Sequence, residues 1–335
     1  MKVIIPVAGI GSRLRPHTHT QPKALVPVAG KAILSHIIDN LIEIGFDNFI
    51  FIIGYLGDKV ETFVREKYPK MNCIFIVQEP REGIGHAVWL ARDNILPNDE
   101  ILIVLGDTIF DVDLNSIIGQ PYSSLGVKKV DDPRSFGVAE MDEKGFITRL
   151  VEKANIPTSN LALVGIYKIK EAALLMKFLD ENIQKNARTK NEFHLTDGLM
   201  KMVEHGAKIT TFPVDSWFDC GSKAHLLGTN AVLLKKMRSP DGQNSENIIN
   251  SIVIPPVSIP ANCKIKNSII GPNVSIGENT IVHYSIIKDS IIGSFSHLEN
   301  AVLHQSVVGS DASLKGFSQS LNIGDNTEID FSQAG

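Results

Sequence analysis

The chain has 335 residues, 43% of them hydrophobic and 21% charged, which is ordinary soluble globular composition and long enough for two domains. A net charge of −4 leaves no overall basic field to gather nucleic acid, so any anion must be bound locally, by a few residues in a cleft. Cys73, Cys220 and Cys263 lie far apart with no C-x-x-C pair, which argues against a disulfide framework or a zinc site and fits a reducing cytoplasm.

The first predicted element is a strand at Val3–Val7. After Met1-Lys2 it superficially imitates a secretory signal, but it is too short and runs into Gly, Arg and Pro. No stretch approaches the roughly 20 apolar residues of a membrane span, so a cytoplasmic protein without a membrane partner is expected. The strand leads into Ala8-Gly9-Ile10-Gly11-Ser12-Arg13-Leu14-Arg15-Pro16, and Gln21-Pro22-Lys23 follows. Small residues at 8, 9 and 11 let backbone N–H groups approach a phosphate chain closely. Arg13 and Lys23 bring positive charge to the same anion. The combination reads as a grip for a nucleoside triphosphate. It is not the dinucleotide fingerprint, because Leu14 stands where the third glycine belongs, and no Walker Gly-Lys-Ser/Thr tripeptide is present.

Further along, Phe49–Ile53, Cys73–Val77 and Ile101–Leu105 read as strands buried on both faces, rich in Ile, Val and Phe. Between them Ile33–Ile44, Asp58–Tyr68 and Gly85–Ile95 carry apolar residues at helical spacing. The alternation predicts an α/β fold with a doubly wound, mostly parallel sheet, whose ligands sit beyond the carboxyl ends of the strands. Asp107, closing Ile101-Leu-Ile-Val-Leu-Gly-Asp, falls there as a candidate ligand for a hard cation, or alternatively as a turn or cap residue. Strands at Leu125–Val130, Phe136–Met141, Phe146–Val151 and Leu161–Ile169 extend the sheet, and helices are expected at Glu171–Gln184, Thr196–His205 and Ser222–Lys236.

Residues 238–247 are polar and turn-rich and are read as a linker between a domain at 1–237 and a second at 248–335. In the second, Ile259, Ile265, Gly271 and Gly277 open segments that repeat at a hexapeptide interval, and Ile291-Ile292-Gly293, Val307-Val308-Gly309 and Ile323-Gly324-Asp325-Asn326 look like later coils. A six-residue period predicts a left-handed parallel β-helix. Its apolar end coils make a homo-oligomer an expectation.

Gly9-x-Gly11-Ser12-Arg13-Leu14-x-Pro16, Pro22-Lys23-x-Leu25-x-Pro27-Val28 and Gly30-Lys31 resemble the signature of sugar-1-phosphate nucleotidyltransferases, such as glucose-1-phosphate thymidylyltransferases and uridylyltransferases. The resemblance covers residues 1 to about 237, and the repeat tail is similar to that of extended members of the superfamily. It implies joining of a nucleoside triphosphate, UTP or dTTP, to a sugar 1-phosphate with release of pyrophosphate, assisted by Mg²⁺. Arg13 and Lys23 would stabilise the triphosphate in the transition state, together with the backbone of Ala8, Gly9, Gly11 and Ser12. Asp107 and Asp219, the latter in Trp217-Phe218-Asp219-Cys220-Gly221, would hold the metal, although Asp219 could also cap the following helix. Gln78 and Gly83, in Gln78-x(4)-Gly83-x-Gly85-x-Ala87, match a base-binding segment; alternatively, Gln78 is a strand-end residue that satisfies loop backbone. His86 is read as packed rather than catalytic. Phe136-Gly137-Val138, Glu152-Lys153, Leu163, Gly165 and Tyr167 match the sugar side, with Lys153 aligning the sugar phosphate, and Glu192 and Thr196-Asp197 match a further segment.

Departures from the pattern are Ala8 for a glycine common in thymidylyltransferases, and Ala32 and Ala154 for prolines. Two other readings stand beside this one. A non-catalytic regulatory relative would be expected to lose the charged groups that are present here. A bifunctional enzyme would use His283, His297 or His304 as the base of an amino-sugar-phosphate acetyltransferase in the β-helix.

Overall fold

A computed structural model describes residues 1–237 and 246–316. The chain divides into two compact units, Met1–Leu233 and Leu234–Gly335. Most of the expected linker at 238–247 and all of the coil expected at Ile323–Asn326 lie outside the described residues.

In the first unit β1 (Lys2–Pro6) is followed by a short hairpin, β2 (Pro27–Val28) and β3 (Lys31–Ala32). Then α1 (Ile33–Glu43), β4 (Asn48–Ile53), α2 (Gly57–Lys67), β5 (Asn72–Val77), α3 (Ile84–Leu90), β6 (Ile101–Val104) and β7 (Thr108–Asp111) alternate. After α4 (Leu114–Ile118) come β8 (Ser123–Lys129), β9 (Gly137–Met141), β10 (Ile147–Glu152) and β11 (Leu161–Ile169). The unit continues with α5 (Ala172–Gln184), α6 (Leu195–Glu204), β12 (Ile209–Pro213), β13 (Ser216–Asp219) and α7 (Lys223–Lys236).

The main sheet runs β10-β9-β11-β6-β1-β4-β5, with β8 beside β11 and β12 beside β8. Strands β6, β1, β4 and β5 pair in parallel, as the strand–helix alternation predicts; β11, β9 and β10 add on antiparallel. Val3, Ile4 and Ile5 are fully buried, because β1 lies in the middle of the sheet, between β4 and β6. The expectation that Cys73–Val77 is buried on both faces fails. β5 is the last strand in the order and leaves Ile74 and Val77 exposed, Val77 to 60%. Helix α1 buries Ile33, Ile37, Ile38 and Leu41, and each such side chain contributes about 1.5–3 kcal/mol. Helix α3 ends sooner than its periodicity suggests and passes into a 3₁₀ turn at Arg92–Asn94.

One element has no counterpart in the sequence reading. β7 and β13 form an antiparallel ribbon of their own, with Thr108 opposite Asp219 and Asp111 opposite Ser216.

The second unit is a parallel β-helix of the left-handed type built on three sheets of two- and three-residue strands. One sheet stacks Ile248–Ile249, Lys264–Lys266, Ile281–His283, His297–Glu299 and Ser313–Lys315. Ile265, Ile270, Val282, Ile287, Ile292 and Leu298 point inward and form a core in which each is at most 1% exposed. The hexapeptide interval holds on only some sides. Ile248 pairs with Ile265 and Ile265 with Val282, 17 residues apart, whereas Val282 pairs with Leu298 and Leu298 with Leu314, 16 apart. Three full six-residue sides would need 18, so some sides are shortened to five.

The corner residues Asn250, Asn267, Tyr284 and Asn300 take positive φ, a conformation that asparagine tolerates better than most residues. Just beyond that corner a hydroxyl ladder descends. Ser251 Oγ accepts from Ser268 N, Ser268 Oγ from Ser285 N and Ser285 Oγ from Ala301 N, each at 3.1 Å. Ser268 and Ser285 also donate to the carbonyls two residues before them, so each hydroxyl works twice.

Candidate active site

The parallel order sets the site. Asp107 follows β6, Ala8–Ser12 follow β1 and Gln78 follows β5, so all three groups stand at carboxyl ends of strands in one half of the sheet. They line a single cavity of about 440 Å³, together with Lys23, Arg81, Gly83 and Glu192. That size suits a small-molecule ligand.

The glycine loop is shaped by two close approaches. Gly11 has φ 67°, and a Cβ there would lie 2.9 Å from the Lys23 Cβ and 3.1 Å from Thr18 Cγ2. Thr18 Oγ1 holds the turn by donating to Gly11 O at 2.9 Å. The Ala8 methyl lies 2.8 Å from where a Cβ on Gly54 would stand, so alanine at 8 is accommodated because position 54 is bare. Gly9 faces open space, and Ser12 opens a 3₁₀ turn through Leu14.

Lys23 Nζ donates to Asp107 Oδ2 at 2.5 Å. Burial by itself would raise the Asp107 carboxyl, but the charge and hydrogen bond of Lys23, helped by Thr108, outweigh it and hold the group below the usual carboxylate range. Asp107 is not a helix cap; the alternative turn reading holds, since it lies in the turn between β6 and β7 that Thr108 N–H closes by donating to Leu105 O at 3.3 Å. The ribbon then brings Asp219 alongside, because Thr108 faces Asp219 and Cys220 N–H donates to Asp107 O at 3.2 Å. Burial, helped by the two carboxylates, pushes the Cys220 thiol up to about 12. Arg13 comes to the same place. A Cβ on Gly221 would sit 2.7 Å from Asp219 Oδ1 and 2.9 Å from Arg13 Nη2, so glycine here leaves room for both. His225 Nδ1 lies 3.3 Å from Asp219 Oδ2. The helix cap expected of Asp219 falls to Ser222 instead, whose Oγ accepts from His225 N at 3.3 Å.

Two carboxylates, Asp107 just before β7 and Asp219 at the end of β13, suit a magnesium ion, which takes one or two carboxylates and completes its shell with phosphate oxygens and water. Among the described residues no cluster of three or more His, Cys, Asp or Glu forms a self-sufficient metal cage.

At the other end of the cavity Gln78 is 5% exposed, and its Nε2 donates to Gly83 O at 2.9 Å. The alternative role, satisfying loop backbone, is therefore realised, and the side chain lines the cavity as well. Gly83 has φ 102°, and a Cβ there would come within 2.6 Å of Phe193 O. His86 is buried on α3 against Trp89, at 5.7 Å between rings; burial lowers its pKa despite the nearby Glu82.

The sugar-side residues form a second cluster. Thr196 Oγ1 donates to Glu152 Oε2 at 3.0 Å, and Lys153 Nζ lies 3.8 Å from Glu152 Oε1. A Cβ on Gly137 would stand 3.0 Å from Glu152 Oε2 and from Leu163 Cδ1. Gly165 also shapes the sheet. At φ 86° it marks the register shift in β11, and a Cβ there would press Leu105 Cδ1 at 2.9 Å. The Tyr167 hydroxyl is buried, and burial, with the charges of Glu152 and Asp107, raises its pKa. Buried His194 Nε2 and Trp217 Nε1 have no protein partner among the described residues, leaving polar atoms for a polar ligand.

Several contacts escaped the sequence. Lys190 Nζ donates to Lys153 O, and Arg188 pairs with Glu82 at 2.5 Å while covering the Phe193 ring. These residues lie in the polar run Asn186-Ala-Arg-Thr-Lys-Asn-Glu192, which carries no spacing signal that would mark them. Among the described residues no helix is long and apolar enough to cross a membrane.

A family model described as nucleotidyl transferase matches residues 2–236. The low-salt glycan biosynthesis nucleotidyltransferase Agl11 of Haloferax volcanii is 31% identical over 243 residues, covering 70% of this chain and 66% of that protein. The bifunctional protein GlmU of Methanocaldococcus jannaschii is 34% identical over 255 residues, covering 74% of this chain and 58% of that protein. The chain thus spans under two thirds of the length of both relatives. A crystal structure of UDP-glucose pyrophosphorylase with UDP-glucose shares the fold, with TM-score 0.61, 24% identity and coverage of 70% of this chain and 99% of that one. On the match over residues 2–236, the chain belongs to the nucleotidyl transferase family.

Proposed function

We propose that the protein transfers a nucleotidyl group from UTP or dTTP to a sugar 1-phosphate, with glucose 1-phosphate the first acceptor to test, releasing pyrophosphate. The observation that carries this reading is the Lys23–Asp107 pair beside the Gly11 loop, with Asp219 brought alongside by the ribbon and Arg13 reaching toward Asp219 from the turn after that loop.

An oxygen of the sugar phosphate attacks the α-phosphorus in line. No general base is needed, since a phosphate with a second pKa near 6 is already largely dianionic at neutral pH. What must be supplied is alignment of two anions and stabilisation of the departing charge. Ala8, Gly9, Gly11 and Ser12 cradle the triphosphate, and Arg13 and Lys23 stabilise the β- and γ-phosphates. Lys153 aligns the sugar phosphate, and Glu152, oriented by Thr196, accepts from sugar hydroxyls beside Gly137, Leu163 and Gly165. Asp107 and Asp219 would hold a magnesium ion, which supplies charge neutralisation at the triphosphate and the leaving group. The Gln78 amide presents its carbonyl oxygen, an acceptor, to the imide N–H of uracil or thymine, because its NH₂ already donates to Gly83.

A panel of triphosphates against sugar 1-phosphates, scored by pyrophosphate release, tests the reading. Lys23→Ala and Asp107→Asn should each lower turnover about 100- to 1,000-fold while circular dichroism shows a folded chain. Near-normal turnover in either variant would overturn the assignment.

A second activity has one observation in its favour: His304 Nε2 lies 3.3 Å from Asp289 Oδ2 in the β-helix, a geometry able to orient an imidazole base. Incubation with acetyl-CoA and an amino-sugar phosphate tests it, and an unchanged thioester concentration excludes it. Exposed Ile252, Ile286 and Val302 stand in register along one sheet of the β-helix and support the homo-oligomer proposal, which light scattering checks.

A further inference from the structure

We propose that Lys23 is an exchangeable counter-cation: its ammonium holds Asp107 until a triphosphate draws it away, so that a divalent ion binds Asp107 well only together with the triphosphate. The proposal rests on the nucleotidyl-transfer reading above and adds how the site keeps a metal from loading alone.

Four fixed charges meet beside the Gly11 loop, and they already balance. Lys23 Nζ lies 2.5 Å from Asp107 Oδ2, and Asp107 Oδ1 accepts from Thr108 Oγ1 at 3.4 Å, so both oxygens of that carboxylate are engaged. Asp219 Oδ1 and Arg13 Nη2 flank Gly221, at 2.7 and 2.9 Å from where its Cβ would stand, and Asp219 Oδ2 has His225 Nδ1 at 3.3 Å. Two carboxylates thus face two cations. A divalent ion arriving alone would leave this corner with excess positive charge and would have to compete with Lys23 for Asp107. Like charges at that range repel.

The lysine stem decides where the ammonium can go. The side chain is only 13% exposed, and the Gly11 turn packs on it: a Cβ at Gly11 would meet Lys23 Cβ at 2.9 Å and Cγ at 3.3 Å. Displaced from Asp107, the ammonium has little water to retreat into, and a buried charge without a partner is costly. The partner within reach is an anion lying on Gly9, Gly11 and Ser12, which line the same cavity as Lys23 and Asp107. The flexible stem lets the ammonium turn from carboxylate to phosphate oxygen while its packed root stays in place. A triphosphate therefore does two things. It takes Lys23 off Asp107, and it brings the negative charge that a divalent ion needs. Each ligand removes the other's obstacle, and the coupling is reciprocal.

The test uses the full chain and reads Mn²⁺ binding from the electron paramagnetic resonance signal of the free ion, since manganese takes carboxylate and phosphate oxygens as magnesium does. No sugar phosphate is added, so nothing turns over. Without nucleotide, Lys23→Met, which keeps the stem and loses the charge, should bind Mn²⁺ about 10-fold tighter than wild type, while Lys23→Arg should stay within about twofold. In an Asp107→Asn background the same Lys23→Met change should alter Mn²⁺ affinity less than about twofold. The factor by which UTP improves Mn²⁺ affinity, corrected for the Mn²⁺–UTP complex in solution, should be about 10-fold or more in wild type and fall several-fold in Lys23→Met. Equal Mn²⁺ affinity in wild type and Lys23→Met would overturn the exchange. So would a tightening that survives in Asp107→Asn, which would mark a general field effect. A wild type showing the full exchange yet releasing no pyrophosphate with any sugar 1-phosphate would sink the transfer reading alone. Normal release with a Mn²⁺ affinity indifferent to Lys23 would sink the exchange alone.

Discussion

The two units are held together by opposite kinds of contact. In the first, the decisive contacts join residues far apart in the chain: Lys23 to Asp107, Thr108 to Asp219, Glu152 to Thr196. In the β-helix each strand pairs with the one 16 or 17 residues away, and the amide-to-hydroxyl bonds of the serine ladder repeat that step. A chemistry that needs several charged groups around one anion therefore sits where the sheet gathers distant loops. The β-helix stabilises itself coil by coil, as repeat structures do.

That contrast can be broken most sharply inside the β-helix. Ile287 is fully buried there, so Ile287→Ala should cost about 2–5 kcal/mol, read by denaturant unfolding of the repeat unit. Pyrophosphate release per folded molecule should change less than about twofold; a proportional collapse of turnover would show that the two units are not energetically separate. In the first unit Gly11→Ala forces an L side chain into φ 67° and against Lys23. It should cost about 1–2 kcal/mol and reduce turnover by more than its stability loss explains. If Gly11→Ala turns over normally, the loop does not position Lys23. The smallest effect concerns acid. The Asp107 carboxyl is held low in the folded chain, so its pairing with Lys23 stabilises fully above the unfolded carboxylate value, near pH 4, and that stabilisation fades as pH falls toward the lowered folded value. The melting-temperature gap between wild type and Asp107→Asn should accordingly be open at pH 7 and close below about pH 4. A gap that widens on acidification would contradict the pairing.

How much of this was legible in the sequence follows from the same contrast. The strands of the parallel half and the helices α1, α2, α5 and α6 declare themselves by periodicity, because each buries a regular apolar face. The Gly9–Lys23 loop declares itself by its small residues and its cations. The β7–β13 ribbon does not: Thr108-Ile-Phe-Asp and Ser216-Trp-Phe-Asp find each other only across the whole unit, and no local turn joins them. Asp219 could be named from its motif, but its place beside Asp107 is a property of that ribbon. The exposure of Val77 follows from β5 being last in the strand order, which no residue of β5 encodes. In the β-helix the inward aliphatics were visible, while the shortened sides were not, since a five-residue and a six-residue side carry similar composition.

The serine ladder has a consequence for how such a tail can change length. Because Ser268 and Ser285 each receive an amide from the following coil while bonding within their own, these two coils present the next with the same acceptor. Whole turns can therefore be duplicated or excised as modules without orphaning a donor. A single residue lost from one side is absorbed at a corner, since the ladder steps 17 residues from Ser251 to Ser268 and from Ser268 to Ser285 but 16 from Ser285 to Ala301. An engineered extension should accordingly copy a block beginning and ending at equivalent serines.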